Sequence, residues 1–158
     1  MRKIKLTQGK VALVDNNMFD CLNKHKWHAY CHHRHWYAIR SIRKANGKQT
    51  TQSMHRIIIN IPKGLQIDHQ NHNGLDNRKS NLRICTNAQN QYNQKLRQGS
   101  SKYKGVYLDK QREKWKAQIQ LNNKQIHIGR FLDEIDAAKA YDKKAIELFG
   151  KFACLNFR

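Results

Sequence analysis

Asp68 and His69 stand side by side in "LQIDH", residues 65–69, followed by the polar run "QNHNGLDNRKSN" before the chain turns apolar again at "LRIC", 82–85. A carboxylate is a hard oxygen donor suited to a cation such as Mg²⁺. A neutral imidazole beside that cation has the chemistry to take a proton from water as the water attacks a phosphodiester. Asn90, 22 positions after Asp68, offers a second oxygen donor. It would reach the same place if 65–69 and 82–85 pair as a hairpin and the helix opened by the Thr86/Gln89 capping box folds back across it. The plainer alternative is a polar loop in which Asp, Asn and Gly only form turns.

Neighbours in a regular strand face opposite ways, so Asp68 and His69 share a site only where the strand gives way to the loop. Asn71, Asn73, Gly74 and Asn77 mark that change. Asn81, just before the second strand, is expected to pin the loop through hydrogen bonds from its amide to the backbone. The EF-hand order of oxygen ligands around Gly74 and its closing Glu are missing, which argues against a calcium loop.

The elements that must hold these residues sit in a strongly basic chain. Its 158 residues carry 31 Lys and Arg against 11 Asp and Glu, a formal charge of +20, and suit one domain or two small ones. Each Lys or Arg set against a phosphate releases a condensed counterion, so such a charge favours nucleic acid over other partners. No apolar run approaches the ~20 residues of a membrane span and no long basic amphipathic helix is visible, so a soluble, cytoplasmic protein without a membrane partner is expected. Cys21, Cys31, Cys85 and Cys154 contain no Cys-x-x-Cys pair and read as small buried hydrophobes.

Residues 1–99 hold 18 basic side chains and only Asp15, Asp20, Asp68 and Asp76 as acids. Up to about residue 54 the pattern predicts short strands in "KVALV", "WYAIRSI" and "QTTQSM", a helix near 16–24 and a hairpin turn at "ANGK". "HKWHAYCHHRHW" fits no familiar zinc spacing, and its adjacent His32 and His33 are expected on opposite strand faces, so it reads as polar strand and turn. "MHRIIIN" reads as an apolar strand ending at Pro62-Lys63-Gly64. The Gly and Ser of "RQGSSK", 97–102, mark a boundary.

From "MHR" through "IDH", "DNRKSNLR" and "CTNAQNQYN" the chain resembles the HNH nucleases, especially the homing-type branch of phages and bacteria. The resemblance implies that His69 is the general base, that Asp68 and Asn90 hold a divalent metal and that Asn81 orders the loop. Many relatives have His where Asn90 stands, and the Asn variant implies Mg²⁺, with Mn²⁺ as the alternative. Arg78 and Arg83 are expected to contact DNA. The segment "KIKLTQGKVALVDNNMFDCLNKHKW" resembles the one that often precedes this motif in phage proteins.

In the tail, Trp115, Ala117, Ile119 and Leu121 alternate with Lys116, Gln118, Gln120 and Asn122. A turn at "NNK" leads to a strand with Ile126 and Ile128 opposite Gln125 and His127. With "YKGVYL" this predicts a three-stranded antiparallel sheet, backed by a helix over about 134–149 capped by Asp133 and closed near Gly150. Trp115, Phe131 and Phe157 are expected to complete the core. Eight Lys and Arg between 102 and 131, Arg112, Lys116 and Arg130 among them, put the sheet rather than the acidic helix against phosphates. Gln118, Gln120, Gln125 and His127 are the side chains expected to read base edges in a major groove, the plainer alternative being a basic, solvated sheet without base readout.

"SSKYKGVY", "KWKAQI", "IHIGRF", "DAAKAYDKKA" and "FGKFACLNF" resemble the APETALA2/ethylene-response-factor DNA-binding domain. Its contacting positions correspond to Lys104, Tyr107, Gln118, Gln120, Gln125 and His127. The sequence thus reads as an α+β chain with three parts. Residues 1–96 form a small β-rich region with a ββα-metal nuclease motif at about 54–95, residues 97–101 a linker, and residues 102–158 a sheet packed on one helix. The expected function is a site-directed DNA endonuclease acting as a monomer on double-stranded DNA, phage-encoded or in a bacterial host. A non-catalytic DNA-binding regulator that keeps the nuclease scaffold is the alternative.

Overall fold

The computed structural model describes residues 1–95 and 100–157, so the linker expected at 97–101 lies largely outside the described residues. Mixed α and β structure is arranged as several small antiparallel sheets with few helices, and the chain divides into two compact units, Met1–Asn87 and Ala88–Arg158.

In the first unit β1 (Arg2–Lys5) pairs with β2 (Val11–Val14), and α1 (Asn16–Asn23) follows. β3 (His28–His32), β4 (His35–Arg43) and β5 (Gln49–Ser53) form a meander, with "ANGK" turning between β4 and β5 through Lys44 N–H to Lys48 O at 2.9 Å. β6 (Gln66–His69) and β7 (Leu82–Cys85) make a two-stranded hairpin. The core gathers Ile4, Ala12, Val14, Leu22, Trp27, Ala38, Met54, Ile58, Leu75 and Leu82. The strand β1 is an element that its short, lysine-rich sequence did not announce; only Ile4 of its four residues is buried.

Three expectations for this unit are corrected. Met54–Ile58 is a short helix, α2, not a strand. Met54 and Ile58 are four residues apart and both buried, a spacing that shares one face in a helix as it does in a strand, and the Ile59 N–H to His55 O bond at 3.0 Å closes the helical turn. His33 is not a strand residue facing away from His32: it lies in the β3–β4 turn with a left-handed φ of 48°, and its ring centroid is 4.2 Å from that of His32. Cys21 and Cys31 are exposed, and only Cys85 and Cys154 are buried.

The second unit begins within α3 (Asn87–Tyr92). β8 (Val106–Asp109), β9 (Lys114–Leu121) and β10 (Lys124–Phe131) form an antiparallel sheet in the order β10-β9-β8. It packs on α4 (Glu134–Phe149), whose N-terminus is capped by Asp133 accepting from the Ile135 and Asp136 amides. Buried Ala137, Ala138, Tyr141, Ala145 and Phe149 form the helix's inner stripe, meeting Val106, Ala117 and Ile119 of the sheet. Gly105 has φ +75°, and a Cβ there would overlap the Tyr141 ring, so the approach of β8 to α4 requires glycine. Phe157 is half-exposed and lies against Tyr103, with centroids 5.3 Å apart, instead of filling the core. The backbone before it is fixed by Asp142, which accepts from Asn156 N at 2.9 Å and Phe157 N at 2.9 Å.

Candidate functional site

The polar loop after β6 is not a solvated turn. Leu75, Asp76 and Asn77 are buried, because the loop is built into the first unit by the strand preceding α1. Leu13 N–H donates to Leu75 O at 2.8 Å, and Asn77 N–H donates to Leu13 O at 2.8 Å. Asp15 accepts from the Lys79 amide at 2.8 Å. The N-terminal strands therefore act as the clamp on this loop.

Inside the loop the asparagines replace regular backbone pairing. Asn71 Oδ1 accepts from Asn73 N, and Asn73 Oδ1 accepts from Leu75 N. Asn81 spans the loop with both ends of its amide: Nδ2 donates to Asp76 O at 2.8 Å, and Oδ1 accepts from Asn71 N at 3.0 Å. Gln70 N–H to Asn81 O at 2.9 Å closes the base of the loop.

Asp68 and His69 are the last two residues of β6, both buried. Asp68 is bound by Arg83, its cross-strand partner, whose Nε donates to Oδ2 at 2.7 Å. The Arg83 side chain is only 12% exposed, so this residue, expected to contact DNA, is engaged with the carboxylate. Arg78 likewise grips Asp76, with Nε to Oδ1 at 2.7 Å and Nη2 to Oδ2 at 2.6 Å. With Arg2 paired to Asp20, three of the four acids of residues 1–99 are in ion pairs, and the fourth, Asp15, holds the loop backbone.

Burial pushes the His69 imidazole below its usual range, against the opposing pull of the Asn77 side chain and of the Asp68 and Asp76 carboxylates. It is thereby neutral, the form that accepts a proton. Two residues not singled out from sequence lie beside it. His55 from α2 stands edge-on to His69, with centroids 5.2 Å apart and planes at 86°; Tyr37 from β4 is 6.0 Å away at 61°. Burial first, then His69 and Arg56, push His55 down to about 3. Burial and the charge of Asp68 raise the Tyr37 phenol. His55 stands in the "MHR" stretch that the sequence marks without pointing to this residue, and Tyr37 carried no signal.

Asn90 is on α3, beyond the point where the two compact units divide. Among the described residues no group of three or more His, Cys, Asp or Glu is placed to hold a metal ion. In kind, a buried carboxylate oxygen next to a neutral imidazole fits a hard divalent cation better than a soft one.

In the second unit the outer face of the sheet carries paired polar side chains. Gln125 is opposite Gln120, His127 opposite Gln118, Arg130 and Tyr107 each opposite Lys116. Tyr107, Gln120, Gln125, His127 and Arg130 are exposed, while Gln118 is half-buried with Oε1 lacking a hydrogen-bond partner among the described residues. Arg112 and Arg130 both reach Asp109, at 3.4 and 3.3 Å. Lys104 differs from its expectation: its ammonium is turned inward, donating to Tyr92 O at 2.7 Å and Gln94 O at 2.6 Å, and burial lowers its pKa.

The profile of the HNH endonuclease family matches residues 60–92, the span from the end of α2 through the hairpin, the loop and α3. An uncharacterized HNH endonuclease of Acanthamoeba polyphaga mimivirus is 31% identical over 155 residues, covering 94% of this chain and 76% of the relative. The chain belongs to the HNH endonuclease family. Protein 3.8 of Escherichia phage T7 is 34% identical over 94 residues, 59% of this chain and 77% of that protein. A third similarity lies elsewhere in character: APETALA2-like protein 2 of Oryza sativa subsp. indica is 44% identical over 61 residues, 37% of this chain but 14% of the plant protein. Membership points to a DNA nuclease of a family that generally uses a divalent metal.

Proposed function

We propose that this protein is a DNA endonuclease of homing type that hydrolyses one phosphodiester per visit, with its sheet-and-helix tail selecting the site. The observation that carries the reading is the buried pair of Asp68 and His69 at the end of β6, beside a loop tied across by Asn81, with burial lowering the pKa of the imidazole. His69 takes a proton from the attacking water; the water oxygen bonds to phosphorus, the opposite P–O bond breaks and the departing 3′ oxygen takes a proton from solvent, leaving 5′-phosphate and 3′-hydroxyl ends. Asp68 is the acidic metal ligand, and Asn90 is the second oxygen donor on the strength of its place in the matched segment. Mg²⁺ is the proposed cation, with Mn²⁺ as substitute; when bound it supplies positive charge to the phosphate and the departing oxygen. The motif is proposed to be of the ββα-metal kind, and Asn81 serves it by holding the loop.

Supporting the DNA role of the tail are the exposed Tyr107, Gln120, Gln125, His127 and Arg130 on one sheet face, where glutamine has the geometry to read adenine and lysine or arginine guanine. Residues 102–158 are proposed as this module and 1–96 as the nuclease part. A monomer that nicks one strand, working in the cytoplasm of a bacterial host, completes the proposal.

Supercoiled plasmid incubated with wild type, His69→Ala and Asp68→Asn, in Mg²⁺, Mn²⁺ or EDTA, tests the chemistry. Nicking that needs metal and is lost in both variants is expected; equal rates in wild type and His69→Ala would remove His69 as the base. For targeting, Gln120→Ala with Gln125→Ala should flatten preference among DNA sites while metal-dependent nicking of plasmid persists. An unchanged preference overturns that role.

A further inference from the structure

We infer that Tyr37 and His55 are positioning residues that orient the His69 imidazole by ring packing. The inference rests on the reading of His69 as the base. Three rings from three separate elements meet here: Tyr37 of β4, His55 of α2 and His69 of β6, with the Tyr37 and His55 centroids 6.2 Å apart. Each pair is tilted by 61° to 86°, the edge-to-face arrangement in which the positive edge of one ring meets the face of the next. An imidazole so flanked loses rotational freedom about its side-chain bonds, and a base must be aimed before it is basic.

The supports of the two outer rings are rigid. α2 is held by Met54 and Ile58, both in the core, so His55 between them has a fixed backbone. Tyr37 lies beside the loop at Gly74, where an added Cβ would come within 2.7 Å of its ring, so only glycine lets the loop backbone pass this close to it. The cluster therefore joins the loop to the base through Tyr37.

His55 is also expensive for a merely structural filler. Its Nδ1 is buried without a hydrogen-bond partner among the described residues, a state that a Leu or Phe at the same position would avoid. What an imidazole shares with Phe and not with Leu is a flat ring able to stand edge-on to His69. Ring shape, not proton exchange, is the property assigned to it.

The test measures single-site nicking by the full-length protein carrying Tyr37→Phe, Tyr37→Ala, His55→Phe or His55→Ala, with His69→Ala as control. The Phe variants keep the ring and should hold kcat within a few-fold of wild type. The Ala variants should lose roughly 100-fold in kcat, the size of effect that a small misplacement of a catalytic group produces, with KM unchanged. Phe variants as impaired as the Ala variants overturn ring packing, and so do Ala variants with wild-type kcat or a loss confined to KM. Where an Ala variant fails to fold, the Leu variant at the same position, which fills the space without a flat ring, takes its place with the same expected loss in kcat and the same overturning result. An active His69→Ala would instead remove the base assignment, a result distinct from any of these.

Discussion

Arg83 lies directly across the β6–β7 hairpin from Asp68 and holds its carboxylate through Nε at 2.7 Å, with both side chains almost fully withdrawn from solvent. Removing one partner of such a pair strands a buried charge, which costs about 3–5 kcal/mol, far more than an exposed ion pair. Arg83→Met should therefore lower the unfolding free energy by that order in a denaturant titration. Arg83→Lys keeps the charge but not the planar fork and should recover only part of it. A Met variant as stable as wild type would show that Asp68 does not depend on Arg83.

Asn81 is the crosspiece of the loop. Asn81→Ala removes a donor to Asp76 O and an acceptor for Asn71 N–H in a region with little water to replace them, at a cost of about 1–3 kcal/mol. Amide hydrogen exchange at Asn71 should quicken markedly. Asn81→Asp keeps the acceptor and should protect that amide; exchange equally fast in both variants would place the effect elsewhere.

His55 makes a pH prediction. In the unfolded chain its imidazole titrates near 6.5, whereas in the folded protein it is pushed down to about 3. Between those values the unfolded state binds more protons, so stability rises with pH, is fully present above about 6.5 and is lost as pH falls toward 3. His69, shifted the same way, adds to the trend. His55→Phe removes one of these protons, and its melting temperature should fall less than that of wild type between pH 7 and pH 4.5. An identical fall in both proteins would contradict a buried neutral His55.

Gly74 is a matter of space. A Cβ there would overlap the Trp36 carbonyl oxygen and come within 2.7 Å of the Tyr37 ring. Backbone cannot yield as a flexible side chain does, so Gly74→Ala should destabilise the first unit by about 1–3 kcal/mol, read by thermal melting. A neutral substitution would mean that the loop stands further from β4 than this structure has it.

These residues also mark how far the sequence could be read. The β6–β7 hairpin, α3 after it, the alternating strands of the tail and the Asp133-capped helix were legible because each follows from local periodicity and capping. "MHRIIIN" was misread because a five-residue helix and a strand leave nearly the same apolar pattern. Phe157 was assigned to a core by its hydrophobicity, but hydrophobic residues are free to remain on a surface.

Adjacency of Asp68 and His69, the basic charge and the polar face of the tail were determined by sequence alone, since each is a property of neighbours in the chain or of a two-residue repeat. Tertiary structure decided what surrounds them: that Arg83 is turned onto Asp68, that Lys104 points inward, and that Tyr37 and His55, 32 and 14 residues before His69, close around its ring. Such contacts depend on how separate strands and helices stack, which no local pattern records. The burial that keeps His69 neutral arises at the same level, because it is the sum of everything packed around one side chain.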